Sequence, residues 1–208
     1  MTRRSKSSSR WLHEHFSDRF VRQAQADGWR SRAVYKLEEA DQTGKLFRPG
    51  LTVLDLGAAP GAWSQYARKK LGTSGVVVAS DILPMDAVVG VEFIQGDFRE
   101  AAVLEQILAK LGGKPADLLL SDMAPNMSGI DAVDQPRAMH LAELALELAG
   151  QALKPGGSAL IKVFQGSGFE AFAQAARRQF ARVRFLKPEA SRARSAETYL
   201  LATGRRMV

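Results

Sequence analysis

Residues 53–67 read VLDLGAAPGAWSQYA, and this stretch combines a buried-strand pattern, a turn of small residues and the start of a helix. A strand, a tight turn and a helix in this order are typical of the first unit of a doubly wound α/β fold, where ligands bind at the carboxyl ends of the strands. Gly57 and Gly61 would let the backbone approach such a ligand closely. The G-x-G-x-x-G pattern is absent, which argues against a ligand with a pyrophosphate.

The rest of the chain alternates strands with helices in the same way. Strands are predicted at 51–57, 75–81, 91–97, 116–122, 158–164, 181–187 and 197–203, and helices at 11–27, 31–41, from 62, and at 99–110, 134–153 and 168–180. The first strands are apolar throughout, which is typical of a parallel sheet covered on both faces. We therefore predict a Rossmann-like α/β fold with a mostly parallel seven-stranded sheet and helices on both faces. A mobile basic arm over residues 1–10 would precede a single domain over residues 11–208.

Composition narrows the class of protein. The chain has 208 residues, 46% of them hydrophobic, with no cysteine and a net charge of +7. It lacks an apolar run of membrane-spanning length, and its basic first residues lack the apolar core of a secretory signal, so we expect a soluble cytoplasmic protein. The cations cluster near the start and in the last quarter, which favours a nucleic-acid partner over a merely soluble basic surface.

Aspartates lie at or near the ends of four predicted strands, at Asp55, Asp81, Asp97 and Asp122. Each alone could be a helix cap or a surface charge, but together they predict an acidic cleft. Asp81 lies about 20 residues beyond the turn, where an acid accepts hydrogen bonds from ribose hydroxyls, and Asp97 could accept from an adenine amino group. Such a cleft suits the positively charged S-adenosylmethionine. An NAD-dependent oxidoreductase is the alternative, since NAD proteins share the acid at Asp81.

Three further side chains have more than one interpretation. Trp63 could line the ligand pocket or could equally be a core residue of the helix after the turn. Lys162 lies within the apolar strand LIKVF, where a lysine is unusual unless its charge is paired, although an edge strand would also tolerate it. Lys36 lies in a predicted helix beside apolar neighbours and indicates little by itself.

Motifs over nearly the whole chain resemble those of the FtsJ/RrmJ family of ribosomal RNA 2′-O-methyltransferases. They are SSSRWL, HFSD, RSRA, DLGAAPG, WSQY, LPMD, QGDF, SDMAPNMSG, KVFQG and SRARS. The resemblance implies an S-adenosylmethionine-dependent methyltransferase fold and methylation of a uridine 2′-hydroxyl in large-subunit (23S) ribosomal RNA. It implies a catalytic tetrad of Lys36, Asp122, Lys162 and Glu197, with cofactor contacts at Gly57, Gly61, Trp63, Asp81, Asp97 and Asp122. One departure is Ala62, where the family usually has glycine, and its methyl group would lie near the methionine end of the cofactor.

The chemistry of methyl transfer explains the tetrad. A ribose hydroxyl is a poor nucleophile until it loses its proton, so the reaction needs positioning and a base. Lys162 is the best candidate for the proton acceptor. Desolvation and Lys36 favour its neutral amine, whereas Asp122 and Glu197 favour its ammonium form, and the sequence leaves the balance open.

The methyl group of a sulfonium is already activated, so we expect no metal. His13 and His15 would not share a helix face, and His140 is distant in sequence. We expect a monomer whose partner is 23S ribosomal RNA, within the large subunit, with phosphates contacted by Arg3, Arg4, Lys6, Arg10, Arg32, Arg192 and Arg194. The alternative function is an RNA-binding ribosome-assembly factor whose methylation is incidental.

Overall fold

The structure is a computed structural model, and it describes residues 18–192 and 195–207. Its helices, numbered within those residues, are α1 Arg19–Ala26, α2 Val34–Gly44, α3 Ala62–Leu71, α4 Ala101–Lys110, α5 Asp131–Ala152 and α6 Phe169–Gln179. Its strands are β1 Thr52–Leu56, β2 Val76–Asp81, β3 Glu92–Gln95, β4 Ala116–Ser121, β5 Leu153–Phe164, β6 Phe180–Leu186 and β7 Glu197–Arg205. The predicted strands and helices of this region are therefore all present.

All seven strands form one sheet in the order β3-β2-β1-β4-β5-β7-β6. The pairs from β3 to β5 are parallel, whereas β7 lies antiparallel between β5 and β6. Six strands thus run in one direction, which confirms the predicted mostly parallel sheet. Their carboxyl ends lie at one edge, which is where an α/β sheet of this kind binds its ligand.

Apolar residues cover both faces of the sheet. Successive residues of β4 point to opposite sides, so that Leu118 and Leu120 join one apolar cluster while Leu119 joins the other. The first cluster includes residues of α2 and α3, and the second includes residues of α4, α5 and α6. Both faces being buried explains why the central strands are apolar throughout, and it confirms the prediction of helices on both faces.

Two element boundaries differ from the prediction for identifiable reasons. The strand predicted from residue 158 begins at Leu153, directly after α5, and residues 154–157 are an irregular part of β5. Pairing with β4 starts at Leu153 and resumes at Ser158 after a register shift, so KPGG ends the helix without ending the pairing. Helix α2 extends to Gly44 and ends where Lys45 adopts a left-handed conformation, at a φ of 49°.

Candidate active site

Strand register brings the predicted tetrad together. In the antiparallel pair of β5 and β7, Lys162 lies opposite Tyr199 and Phe164 lies opposite Glu197. Opposite residues share a face of the sheet, and so do residues two apart along a strand, so these side chains lie on one face. Asp122 follows β4, which pairs with the other side of β5. The sheet thereby places Lys162, Glu197 and Asp122 next to one another.

The four predicted catalytic side chains form a continuous network. The Nζ atom of Lys162 lies 2.8 Å from Oδ1 of Asp122 and 3.8 Å from Oε2 of Glu197. It also donates a hydrogen bond of 2.7 Å to the backbone carbonyl of Asp122. Lys36, from the first turn of α2, places its Nζ atom 2.8 Å from Oε1 of Glu197. The network therefore joins two lysine side chains to two carboxyl groups.

Tyr199 links the two ends of this network and was missed by the sequence analysis. Its hydroxyl donates to Oδ1 of Asp122 at 2.5 Å and accepts from Nζ of Lys36 at 3.2 Å. Burial, with the nearby carboxylates of Asp122 and Glu197, raises the pKa of the Tyr199 phenol well above its ordinary value, so it remains a neutral donor. Tyr199 is two residues after Glu197, and the two-residue period of a strand was the available signal.

The carboxyl group of Asp122 is held in its charged form by its neighbours, and that of Glu197 has a further hydrogen-bond donor. Burial opposes ionisation of Asp122, but the ammonium groups of Lys162 and Lys36 and two hydrogen bonds outweigh it and lower the pKa of Asp122. Glu197 accepts a further hydrogen bond of 2.8 Å from the hydroxyl of Ser191, which is buried. Ser191 lies in the loop before β7, and periodicity gave no signal for it.

A cavity of about 880 Å³ opens beside the network. Lys36, Lys162 and Glu197 line it, and so do side chains of the loop after β4, the first turns of α5 and the segment after β5. A volume of this size accommodates a nucleotide-sized ligand. The lysines therefore face a space into which a substrate can enter.

The turn after β1, which contains two of the predicted cofactor residues, includes two glycines with positive φ. Gly57 has a φ of 70°, and a β-carbon there would lie 2.6 Å from Cγ of Met123. Gly61 has a φ of 104°, and a β-carbon there would lie 2.8 Å from Nη1 of Arg30. The positive φ therefore favours glycine at both positions, and at Gly57 the added carbon would also lie 3.1 Å from backbone atoms of Met123. Ala62 is 2% exposed and packs in an apolar cluster, and the expected position of its methyl group near the cofactor stays a prediction.

Arg30 forms hydrogen bonds with the turn after β1, and the sequence analysis did not identify it. Its guanidinium donates hydrogen bonds to the carbonyl of Pro60 at 3.0 Å, to that of Asp86 at 2.6 Å and to that of Ala87 at 2.7 Å. One side chain thereby connects the turn after β1 to the loop after β2. Its position in RSRA gave no signal for these contacts, because both partner segments are distant in sequence.

Among the predicted cofactor residues, Asp81 has the clearest structural role. It ends β2, and its two carboxylate oxygens accept hydrogen bonds of 2.8 Å from the backbone N–H groups of Ala59 and Leu83. The carboxylate thus braces both the turn and the loop after β2. Each oxygen can accept a second hydrogen bond, which leaves acceptor capacity for a ligand.

Asp97 and Trp63 already have partners within the protein. Both oxygens of Asp97 lie 2.9 Å from Nε of Arg99, and hydrogen bonds from Arg99 lower the pKa of Asp97 against the effect of its burial. Trp63 is 3% exposed, and its indole N–H donates a hydrogen bond of 2.7 Å to the carbonyl of Ala33. Trp63 is therefore a core residue, and the roles of both residues in cofactor binding stay predictions.

Asp55 differs from the expected cleft residue. It lies inside β1 and is fully buried, with one oxygen accepting a hydrogen bond of 2.6 Å from Ser64. Among the described residues, Oδ1 of Asp55 has no hydrogen-bond partner. Burial raises the pKa of Asp55 to about 7, with Asp122 and Asp81 adding to the rise and the Ser64 hydrogen bond opposing it. Asp55 is thus a buried acid beneath the cleft.

Two of the predicted RNA-binding residues, Arg32 and Arg192, line the cavity. Arg32 is also bonded to the carboxylate of Asp18 and to the carbonyl of Ala190. Burial and the nearby Arg192 lower the pKa of Arg32, against the carboxylate of Glu197 and the phenol of Tyr199. The other predicted RNA-binding residues lie outside the described part of the chain; they are Arg3, Arg4, Lys6, Arg10 and Arg194.

Residues 18–192 and 195–207 contain neither a candidate metal site nor a membrane-spanning helix. In that part of the chain, no group of three or more histidine, aspartate or glutamate side chains is placed to hold a metal ion. The helices there are all too short or too polar to cross a membrane.

The sheet order, the antiparallel β7 and the turn after β1 define a Rossmann-like methyltransferase fold. A Plasmodium falciparum chain described as a ribosomal RNA methyltransferase superposes with a TM-score of 0.74 at 27% identity, covering 85% of this chain and 98% of that one. A Clostridium thermocellum chain described as an rRNA-methylase shares the fold at 17% identity with a TM-score of 0.56, over 82% and 97% of the two chains.

Sequence comparison identifies the family. The chain belongs to the FtsJ-like methyltransferase family, whose model matches residues 29–205. The Ribosomal RNA large subunit methyltransferase E of Xanthomonas euvesicatoria pv. vesicatoria (strain 85-10) is 61% identical over 207 residues, which is 100% of this chain and 99% of that relative. The predicted family and enzyme class are confirmed, and the oxidoreductase alternative is excluded.

Proposed function

We propose that this methyltransferase transfers a methyl group from S-adenosylmethionine to the 2′-hydroxyl of a uridine in large-subunit (23S) ribosomal RNA. The observation that carries the proposal is the network of Lys36, Glu197, Lys162 and Asp122 at the wall of a nucleotide-sized cavity. The relatives named as large-subunit ribosomal RNA methyltransferases support the choice of substrate, since they match over the whole chain.

The residues around the turn after β1 fit S-adenosylmethionine. Asp81 keeps acceptor capacity for ribose hydroxyls although it already braces two backbone N–H groups. Carboxylates at Asp81, Asp97 and Asp122 suit a ligand with a positive charge. S-adenosylmethionine, when bound, supplies a methyl group already activated by its positively charged sulfur. The residues that would hold it are Gly57, Gly61, Trp63, Asp81, Asp97 and Asp122.

Lys162 is the proton acceptor of the proposed reaction. Its Nζ atom, in the neutral form, takes the proton of the ribose 2′-hydroxyl as the oxygen attacks. The ammonium group that results lies beside Asp122 and Glu197, whose carboxylates stabilise it. Two hydrogen-bonding contacts to Asp122 fix the position of Nζ, so the amine is oriented before the substrate arrives.

Lys36 and Tyr199 position the network. Lys36 forms a salt bridge with Glu197 and thereby compensates the negative charge of one of the two carboxylates next to Lys162. Tyr199 bonds to both Asp122 and Lys36, which couples the two halves of the network. Neither side chain needs to exchange a proton with the substrate in this scheme.

The partner of the enzyme is proposed from charge as well as from family. Arg32 and Arg192 at the cavity, together with the cationic residues of the predicted basic arm, would contact phosphates and fix the RNA in register. We propose that the protein acts as a monomer in the cytoplasm, on ribosomal RNA within the large subunit.

A methylation assay tests the proposed function. The protein is incubated with radiolabelled S-adenosylmethionine and either free ribosomal RNA or isolated large subunits, both from cells that lack the modification. We expect label on one ribose 2′-oxygen of a uridine in the 23S RNA, and more label in the large subunit. Label on a base, or on neither substrate, would overturn the proposal.

A further inference from the structure

Gln135, in the first turns of α5, lines the same cavity as Lys162 and has a fixed amide group. Its Nε2 atom donates a hydrogen bond of 3.2 Å to the carbonyl of Phe164 and lies 3.5 Å from the carbonyl of Ser167. Only the NH₂ end of an amide can face two carbonyl oxygens favourably, so these contacts determine which end is nitrogen. The donor end of Gln135 is therefore anchored to the segment that follows β5.

The backbone of Gly166 packs against the amide group of Gln135. A β-carbon at Gly166 would lie 2.7 Å from Nε2 and 2.8 Å from Cδ of Gln135, closer than real contacts allow. The backbone of Gly166 also has a φ of 145°, which favours glycine. The amide plane thus lies directly against the backbone of the cavity wall.

The carbonyl end of the Gln135 amide is available to a ligand. Within residues 18–192 and 195–207, no hydrogen-bond donor is paired with its Oε1 atom. A polar group that lines a cavity and is held in a fixed orientation is well suited to recognising a substrate. Oε1 can only accept a hydrogen bond, so it selects a ligand with an N–H or O–H group.

The position of Gln135 relative to Lys162 fits a single nucleoside. Its anchor, Phe164, is two residues beyond Lys162 on β5, which is about 7 Å along the strand. Met127 and Ala138 also line the cavity, and Met127 is 57% exposed, so the cavity offers an apolar surface to an aromatic ring. A ribose at Lys162 would therefore place its base near Met127 and the amide.

We propose that this cavity holds the base of the target nucleotide and that Gln135 is a specificity-determining residue, with Oε1 accepting a hydrogen bond from N3–H of uracil. The inference rests on the proposed function and adds the residue that selects the base. Cytosine carries an unprotonated N3, an acceptor, at the same ring position. The N3 atom of cytosine would face Oε1 without forming a hydrogen bond. A site that is arranged to hydrogen-bond its substrate discriminates against a ligand that lacks the donor. The target nucleotide leaves its stack to enter the cavity, as bases do in other enzymes that must reach into a folded nucleic acid.

The test measures selection between two bases. Large subunits are prepared with either uridine or cytidine at the nucleotide that the parent enzyme methylates, and kcat/KM is measured for both. The variant Gln135→Met keeps the length of the side chain and removes the amide. Gly166→Ala retains the amide group but displaces it. Gln151→Met, at an exposed site on the same helix, is the matched control.

The parent and the Gln151→Met control should prefer uridine by about tenfold or more. Gln135→Met and Gly166→Ala should lose most of this preference through a lower kcat/KM on uridine, with an unchanged value on cytidine and unchanged cofactor affinity. An equal preference in Gln135→Met and the parent would overturn the inference while leaving the proposed function intact. A parent enzyme that methylates neither subunit would overturn both.

Discussion

The buried carboxyl group of Asp55 should make stability depend on pH in a specific way. Its pKa is raised from 3.8 to about 7, chiefly by burial. The folded protein therefore binds this proton more tightly than the unfolded chain does. The group's contribution to stability is present below about pH 4 and is lost as the pH rises through about 7. At about 1.4 kcal/mol per pKa unit, the loss is at most ~4 kcal/mol.

Asp55→Asn removes this dependence because asparagine keeps the size and an acceptor for Ser64 but cannot ionise. Urea unfolding, followed by tryptophan fluorescence, gives the free energy of unfolding at pH 5 and at pH 8. The advantage of the variant over the parent should be larger at pH 8 by about 2–3 kcal/mol. Asp86→Asn, at an exposed site, is the control and should change stability by less than about 0.5 kcal/mol. An equal difference between variant and parent at both pH values would refute the reasoning.

Two further predictions concern the turn after β1 and its proposed role in cofactor binding. Arg30→Lys should weaken binding of S-adenosylmethionine about tenfold, because the single nitrogen of lysine cannot replace both guanidinium nitrogens that bond to these carbonyls. Calorimetry measures the affinity, and Arg22→Lys, on the exposed side of α1, is the control. An affinity of Arg30→Lys equal to that of the parent would contradict the role of Arg30 in holding the turn. Asp81→Ala should weaken cofactor binding by roughly 1–3 kcal/mol and lower the melting temperature, since two backbone N–H groups lose their acceptor. Unchanged affinity would remove Asp81 from the cofactor site.

Much of the fold could be predicted because local patterns and the final packing agree. The apolar runs of β1 and β4 are buried on both faces, so sequence alone indicates central parallel strands. At the site, Lys162 was the one catalytic candidate with a local signal, an unexpected charge in an apolar strand. Lys36 carries no such signal, since its pairing with Glu197 joins a helix to a strand 161 residues away. Its role was predicted through family resemblance.

What the sequence did not indicate depends on contacts between distant segments. The three backbone carbonyls bonded by Arg30 belong to two loops, and a carbonyl exists at every residue, so no residue type marks them. Ser191 and Gln135 are ordinary polar residues until a loop and a helix place them at the site. For Asp55 the sequence suggested a site residue where the structure has a buried one. A strand-end acid was expected to face the cleft, but the two-residue period of β1 turns its side chain into the core.

The base role of Lys162 is tested most directly by single-turnover methylation with saturating cofactor and RNA, which isolates the chemical step. The side chain is 7% exposed and contacts both carboxylates. An arginine at this position would carry a positive charge, as a protonated lysine does, but it could not act as a base near neutral pH. Lys162→Arg should therefore be as inactive as Lys162→Ala, at least about a hundredfold slower than the parent. Lys154→Arg, on the same strand but paired with Asp117, should keep parent activity. A rate for Lys162→Arg within about tenfold of the parent, or about 1.4 kcal/mol in barrier, would contradict the base role.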